Sequence, residues 1–208
     1  IKKECYALQG VAYATIYRDV AWNFFQLGLL IERADQMSRL LDVRFAQVRD
    51  EAHAETRGPG DFGFRSVQLR SVAAQQAFLR AYPGRPDADS VARFLIFDPA
   101  LPRSIVFCAA QLEDVVHGLR RDYNLRGATN VLQKLDDVRQ VLDVAVNDEN
   151  LIRELHSFND QIQRDLIAVS DELGEHFFGH GGPEDQTDSP EAGGAQPQSN
   201  TQTQSQSS

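Results

Sequence analysis

The chain has 208 residues, of which 42% are hydrophobic and 25% are charged, and its formal net charge is −9. A chain of this length buries enough apolar surface to fold without a disulfide or a metal. Its two cysteines exclude a disulfide framework and a cysteine-rich zinc module. The acidic charge balance excludes a general nucleic-acid binder.

The chain starts at Ile1 and enters helix-like sequence at once, so we expect the natural start of the gene product to lie upstream. The sequence from Ile1 onward shows no secretory signal, which is weak evidence because the natural start is expected upstream. The most apolar region, residues 24–31, is far shorter than the ~20 residues of a membrane span. These features predict a cytoplasmic protein without a membrane span.

Between residues 4 and 178 the apolar residues recur with helical spacing, and no alternating run of β-branched residues predicts a strand. Glycine, proline and asparagine clusters interrupt this spacing and predict about six helices. The interruptions lie at residues 57–60, 83–86, 98–102, 124–127 and 147–148. We therefore expect one all-α bundle over residues 1–178.

The first long helix is predicted over residues 11–50, with a length of ~60 Å. It carries two apolar faces, which is typical of a central helix with neighbours on both sides. The first face comprises Arg18, Trp22, Phe25, Leu29, Glu32, Gln36, Arg39 and Val43. The second comprises Val20, Phe24, Leu27, Ile31, Leu41 and Phe45.

Capping residues predict several later helix boundaries. Asp87 or Asp89 can cap a short helix that ends near Phe97, and Pro102 fits the first turn of the next helix. Asp148 can cap a long final helix with a single apolar stripe. That stripe comprises Leu151, Leu155, Phe158, Ile162, Leu166, Val169 and Leu173.

The last thirty residues, 179–208, differ from the rest in composition. They contain glycine, proline, serine, threonine, glutamine, asparagine and acids, with alanine as the only apolar residue type. Such a segment cannot bury enough apolar surface to offset the entropy of ordering it. We predict a disordered acidic tail.

Glu32 is the main candidate functional residue, because it lies on a face that is otherwise predicted to be buried. A buried carboxylate must be paired, protonated or bound to a ligand. In a structural alternative, Glu32, Arg39 and a basic residue on a facing helix form an ion-pair cluster. In a functional alternative, Glu32 lines a polar pocket, and Gly28 leaves room beside it. Asp35 and Arg39 have the spacing of an i,i+4 ion pair.

The other chemical motifs predict no cofactor and no metal site. A di-iron bundle needs Glu-x-x-His pairs, and no glutamate stands three residues before His53, His117, His156 or His176. His176 and His180 lack a third ligand, and Cys108 is predicted to be a small core residue. No glycine-rich phosphate loop is present, so any ATP would be bound by a partner.

Several short runs, taken in order, resemble the bacterial alpha-E domain family, an all-helical family named for its Glu-Arg motif. They lie at residues 18–22, 27–28, 31–35, 39–43, 66–71, 82–84, 91–95, 98, 102–104 and 107–108. The resemblance covers about residues 1–178. Members usually carry an earlier helical half, so we expect this chain to be the later half only and to self-associate through uncovered apolar surface.

The resemblance also implies a function. Genes of this family tend to lie beside, or to be fused with, ATP-grasp and transglutaminase-like proteins. We therefore expect an accessory partner of an ATP-grasp peptide or amide ligase. The matching polar positions are Arg18, Asp19, Glu32, Arg33, Asp35 and Arg103. The alternative is an enzyme in which Glu32 acts as acid or base and Arg18, Arg39 or Arg103 holds a substrate carboxylate.

Overall fold

A computed structural model describes residues 2–51, 60–83, 87–124 and 127–179. Every regular element in these ranges is a helix, which confirms the all-α prediction. The described residues form eight helices, two more than predicted, because two breaks carry no glycine or proline. The helices are α1 (Lys2–Thr15), α2 (Val20–Glu51), α3 (Gly60–Ser71), α4 (Gln75–Ala81), α5 (Ala88–Phe97), α6 (Ile105–Tyr123), α7 (Ala128–Ala145) and α8 (Leu155–Phe178).

The first unpredicted break separates α1 from α2, so the prediction of one helix over residues 11–50 is wrong. The carboxylate of Asp19 accepts hydrogen bonds from the backbone N–H groups of Ala21 (2.9 Å) and Trp22 (3.2 Å). This is the geometry of an N-terminal cap. A new helix therefore begins at Val20, and the long helix is the second element of the fold.

The second unpredicted break separates α3 from α4 at Ala73, which adopts a left-handed conformation with φ of 58°. The N–H of Ala74 reaches back to the carbonyl of Leu69 at 2.8 Å, as in a Schellman helix end. Glycine is the usual residue at such a position, so the sequence carries no signal for this turn.

Capping contacts set the later boundaries. Asp87 caps α5 by accepting from the N–H of Ser90 (2.9 Å), and α5 ends at Phe97 as predicted. Ser104 caps α6, so Pro102 lies in the preceding turn and not in the first helical turn. Asp148 stabilises a turn through the N–H of Asn150 (2.8 Å), and α8 begins only at Leu155.

Four long helices form the body of the molecule. α2 packs against α6 and α8, and α7 packs against the same two helices, so the four close a bundle. α5 packs on α2 and α6, and α3 packs on α4 and α5. The predicted apolar stripe of the last helix is buried along its whole length, from Leu151 to Leu173.

The remaining sequence predictions concern the chain ends and the membrane. Gly179 ends α8 in a left-handed conformation, and the rest of the predicted disordered tail, residues 180–208, lies outside the described residues. The predicted breaks at residues 57–59, 84–86 and 125–126 also lie outside them. Within the described residues, no helix has the length and apolar character needed to cross a bilayer.

Candidate functional site

The two sides of α2 have different surroundings. Its inner face is buried in the bundle and comprises Leu27, Leu30, Ala34, Met37, Leu41 and Phe45. Its outer face is exposed and comprises Phe25, Glu32, Gln36, Arg39 and Val43. The prediction that Glu32 is buried is therefore wrong. α2 packs against α6 and α8, and Ala34 on the inner face is buried. Glu32 precedes Ala34 by two residues, which places it about 200° away around the helix axis.

An ion pair lies beside Glu32 on the outer face. Arg39 Nε donates to Asp35 Oδ2 at 2.7 Å, which confirms the predicted i,i+4 pair. This hydrogen bond is the main cause of a raised pKa of Arg39, and the charge of Glu32 contributes less. Among the side chains that the structure describes, none on a facing helix forms an ion pair with Glu32, so the predicted inter-helix cluster is absent there.

Arg18 and Asp19 lie at the corner where α1 meets α2. The Arg18 guanidinium stacks over the indole of Trp22, 3.5 Å from the ring centroid, and also donates to the backbone carbonyl of Tyr13. The Tyr13 ring packs edge-on against Trp22 at 5.1 Å. Trp22 is only 7% exposed as a result. This corner joins the two helices, and its polar residues cover an indole and cap a helix.

Arg33 and Arg103 lie near Cys108, in the region where α2 packs against α6. Burial raises the pKa of the Cys108 thiol to about 11, although the positive charges of both arginines act to lower it. Cys108 is fully buried, as predicted, and its thiol is protonated at neutral pH. Arg103 also donates to the Tyr6 hydroxyl of α1 at 3.4 Å.

The structure therefore separates the predicted polar positions into three groups. One is the α1–α2 corner, another is the outer face of α2, and the third surrounds Cys108. Within the described residues, neither Arg33 nor Arg103 forms an ion pair with a carboxylate. In the part of the chain that the structure describes, the two grooves between α2 and α8 are lined by none of these side chains.

A groove of about 670 Å³ lies between α2 and α8, beside the outer face. Gly28 lines it, and a Cβ added there would meet no atom within 4 Å, so the room expected beside Gly28 is present. The groove runs toward Leu173 and Phe178 of α8, and Glu32 does not line it. The space at Gly28 thus belongs to a surface groove and not to a pocket around Glu32.

One group of potential metal-ligating side chains was not predicted from the sequence. Asp42 of α2 meets His156 and Asp160 of α8, and these residues offer ligand atoms within 4.8 Å of one another. His156 and Asp160 form a His-x-x-x-Asp pattern, which differs from the Glu-x-x-His pattern of di-iron bundles. Asp42 stands 114 residues before His156, so only the fold brings it close.

Comparison with known proteins identifies the family. No curated protein and no solved structure matches the chain. A family model, described as a predicted alpha-helical domain with a conserved ER motif, matches residues 1–178. The dipeptide Glu-Arg occurs once in the sequence, at Glu32 and Arg33, so the motif lies on α2 with Glu32 on its outer face. The chain belongs to the Alpha-E family.

Proposed function

We propose that this chain is an accessory protein that binds an ATP-grasp peptide or amide ligase in the bacterial cytoplasm, where ATP is available. The supporting observation is the placement of Glu32 on an exposed helix face. A residue on such a face is suited to contacting a macromolecule and poorly suited to enclosing a small substrate. The genomic context implied by the family resemblance supplies the class of partner.

The composition of the surrounding surface supports this proposal. The outer face of α2 combines Phe25, which is 39% exposed, and Val43, which is 70% exposed, with charged side chains. α1 adds Leu8, which is 75% exposed, and the corner between α1 and α2 adds Tyr17, which is 82% exposed. Protein interfaces are enriched in aromatic and arginine side chains, and their energy comes from a few such anchors. α1 and the outer face of α2 thus offer a ligase both anchors and charged contacts.

An enzyme with Glu32 as its acid or base needs a site that excludes water around that carboxylate. Glu32 is exposed and does not line the groove beside it. Docking of a partner on the outer face would bury Glu32. The accessory function therefore accounts for both the position of the motif and its exposure.

Affinity co-purification of the full-length gene product from its own host tests the proposal. Mass spectrometry of the eluate should recover an ATP-grasp protein in near-stoichiometric amount. Adding the purified chain to that ligase should then change its ATP turnover in the presence of a peptide substrate. Recovery of a transglutaminase-like protein alone, or of no partner, would contradict the proposal.

Two variants and a matched control locate the interface. Leu8→Asp on α1 and Glu32→Arg on α2 should each reduce recovery of the ligase by at least tenfold, because each alters the proposed contact surface. Val144→Asp on α7 is the control, since Val144 is 76% exposed and Leu8 is 75% exposed. Equal recovery with all three variants would exclude this surface.

Self-association is a further proposal that concerns the same surface. The exposed apolar side chains of α1 and of the outer face of α2 would be covered if two copies paired through them. Light scattering should then show a dimer at micromolar concentration, and Leu8→Asp should shift it to a monomer. A clean monomer of the unaltered chain at that concentration would rule out this association.

A further inference from the structure

A compact side-chain group lies where the first turn of α8 meets α2. His156 Nδ1 lies 2.7 Å from Asp42 Oδ1, and His156 Nε2 lies 3.5 Å from Asp160 Oδ2. The three side chains are 54%, 30% and 43% exposed, respectively, for His156, Asp42 and Asp160. One imidazole is thus shared between two carboxylates from two helices, at a surface open to solvent.

We propose that Asp42, His156 and Asp160 form a binding site for a divalent transition cation of the Zn²⁺ type. An imidazole nitrogen combined with carboxylate oxygens is a donor set that suits such cations. In tetrahedral zinc sites, ligand bonds of ~2.0–2.2 Å hold neighbouring donor atoms about 3.4 Å apart. The 3.5 Å between His156 Nε2 and Asp160 Oδ2 matches that separation.

Asp42 has a different role from His156 and Asp160. Histidine ligands in metal sites usually donate their second ring N–H to a carboxylate, which fixes the tautomer and the orientation of the ring. The 2.7 Å contact between Asp42 and His156 Nδ1 supplies this acceptor. With Nδ1 protonated toward Asp42, the lone pair of Nε2 points toward Asp160 and the cation. His156 and Asp160 are the ligands, and Asp42 is the positioning residue.

The charges of the group favour a dication. Two carboxylates and a neutral imidazole sum to −2, which a divalent cation neutralises. His156 is the second residue of α8, so the positive end of the helix dipole acts against the cation. The second carboxylate, contributed by α2, offsets that repulsion. Among the described residues, this is the one group of three histidine, cysteine or carboxylate side chains whose ligand atoms all lie within 4.8 Å of one another.

An open cleft adjoins the group and determines what else can bind. The cleft measures about 300 Å³, and Asp42 and His156 lie on its wall together with Leu41, Phe45 and Arg153. Because His156 and Asp160 are the two protein ligands, a tetrahedral cation keeps two further positions for other donors. Water or an anionic group held by Arg153 can fill them. The proposed site therefore leaves coordination positions for exogenous ligands, and it does not include Glu32.

Metal titration of the full 208-residue chain, after treatment with a chelator and dialysis, tests the assignment. Calorimetry with Zn²⁺ and absorption spectroscopy with Co²⁺ should each show one saturable equivalent. His156→Gln and Asp160→Asn should each weaken binding by at least tenfold. Asp42→Asn should weaken it by about tenfold, as expected for loss of the carboxylate that orients a histidine ligand.

His176→Gln is the matched control. His176 lies on the same helix and also contacts a carboxylate one turn away, Glu172 at 2.7 Å, but no third metal-ligating side chain among the described residues completes a site there. This variant should bind metal like the unaltered chain. Zn²⁺ should raise the melting temperature of the unaltered chain and of His176→Gln, but not that of His156→Gln.

Three results would overturn the proposal. One is the absence of saturable binding of either metal, and another is binding that survives both His156→Gln and Asp160→Asn. The third is loss of binding in His176→Gln but not in His156→Gln, which would place the metal at His176 and His180. Circular dichroism checks that each variant is helical, and Asp160→Asn alone decides the matter if His156→Gln unfolds.

Discussion

The inner and outer faces of α2 belong to one helix but differ in what surrounds them. Leu41 on the inner face is 0% exposed, whereas Val43, two residues later on the outer face, is 70% exposed. Both faces carry apolar residues, and the family motif places Glu32 on the exposed one. Helical spacing shows which residues share a face, but the neighbouring helices decide which face is buried.

Truncating one residue on each face should give the largest contrast. Leu41→Ala removes a side chain buried between helices and should lower the free energy of unfolding by about 2–5 kcal/mol. Val43→Ala should change it by less than about 0.5 kcal/mol, because Val43 is mostly in contact with solvent. Denaturant unfolding followed by circular dichroism measures both values. Equal losses would mean that the outer face is also covered in solution, by another copy of the chain.

The two cysteines extend the comparison to pH. Cys108 is buried beside α2 and has a pKa of about 11, whereas Cys5 on α1 is exposed. At pH 8 a thiol reagent should label Cys5 quickly and Cys108 only after unfolding. Folding raises the pKa of Cys108, so the folded state favours the protonated thiol. The contribution of this thiol to the free energy of unfolding is therefore complete below about pH 9 and is lost as the pH rises toward 11.

The size of this pH effect can be isolated with alanine variants. Two pKa units correspond to about 3 kcal/mol, so the stability of the unaltered chain should fall by up to that amount relative to Cys108→Ala between pH 8 and pH 11. Cys5→Ala is the control, because it removes an exposed thiol from the same protein. A constant difference between the unaltered chain and Cys108→Ala would show that Cys108 does not titrate differently in the folded state.

Most of the fold could be predicted from the sequence, because amphipathic helices carry their periodicity locally. The stripe from Leu151 to Leu173 and the cap at Asp87 are examples. The break at Ala73 could not be predicted, since an alanine occupies the left-handed position. The break before Val20 had a local signal in Asp19, but the apolar spacing continues across it and favours one long helix.

The candidate sites were less predictable, because they depend on contacts between distant segments. Glu32 was expected in the interior on the basis of its apolar neighbours along the helix, and no property of α2 itself shows that α6 and α8 pack on the opposite side. Asp42 and His156 approach each other only after α2 and α8 have packed. By contrast, Asp19 and Ser104 lie at positions that match the family pattern, but their side chains cap helices.

The corner at Asp19 joins α1 to α2, and the cap that Asp19 forms should contribute a moderate amount of stability. Asp19→Ala removes the acceptor for two backbone N–H groups and should lower the free energy of unfolding by about 1 kcal/mol. Asp19→Asn keeps a capping oxygen and should be close to neutral. Thermal unfolding of the three proteins measures the difference. An equal loss in both variants would assign the effect to the charge of Asp19 and not to its hydrogen bonds.

Glu32→Gln should change the stability as little as Val43→Ala does, and it tests directly whether Glu32 lies on an exposed face. If Glu32 belonged to a buried ion pair, the Gln substitution would leave an arginine unpaired in the interior. Such a change typically lowers the free energy of unfolding by ~3–5 kcal/mol. Glu32 is exposed and its neighbour Arg39 is already paired with Asp35, so the change should be within about 0.5 kcal/mol. Recovery of the ligase should nevertheless fall with this variant, because the proposed contact uses the charge of Glu32. A loss of several kcal/mol would instead place Glu32 in a buried ion-pair network. If neither the stability nor the recovery of the ligase changes, Glu32 has neither a structural role nor a role in binding the ligase.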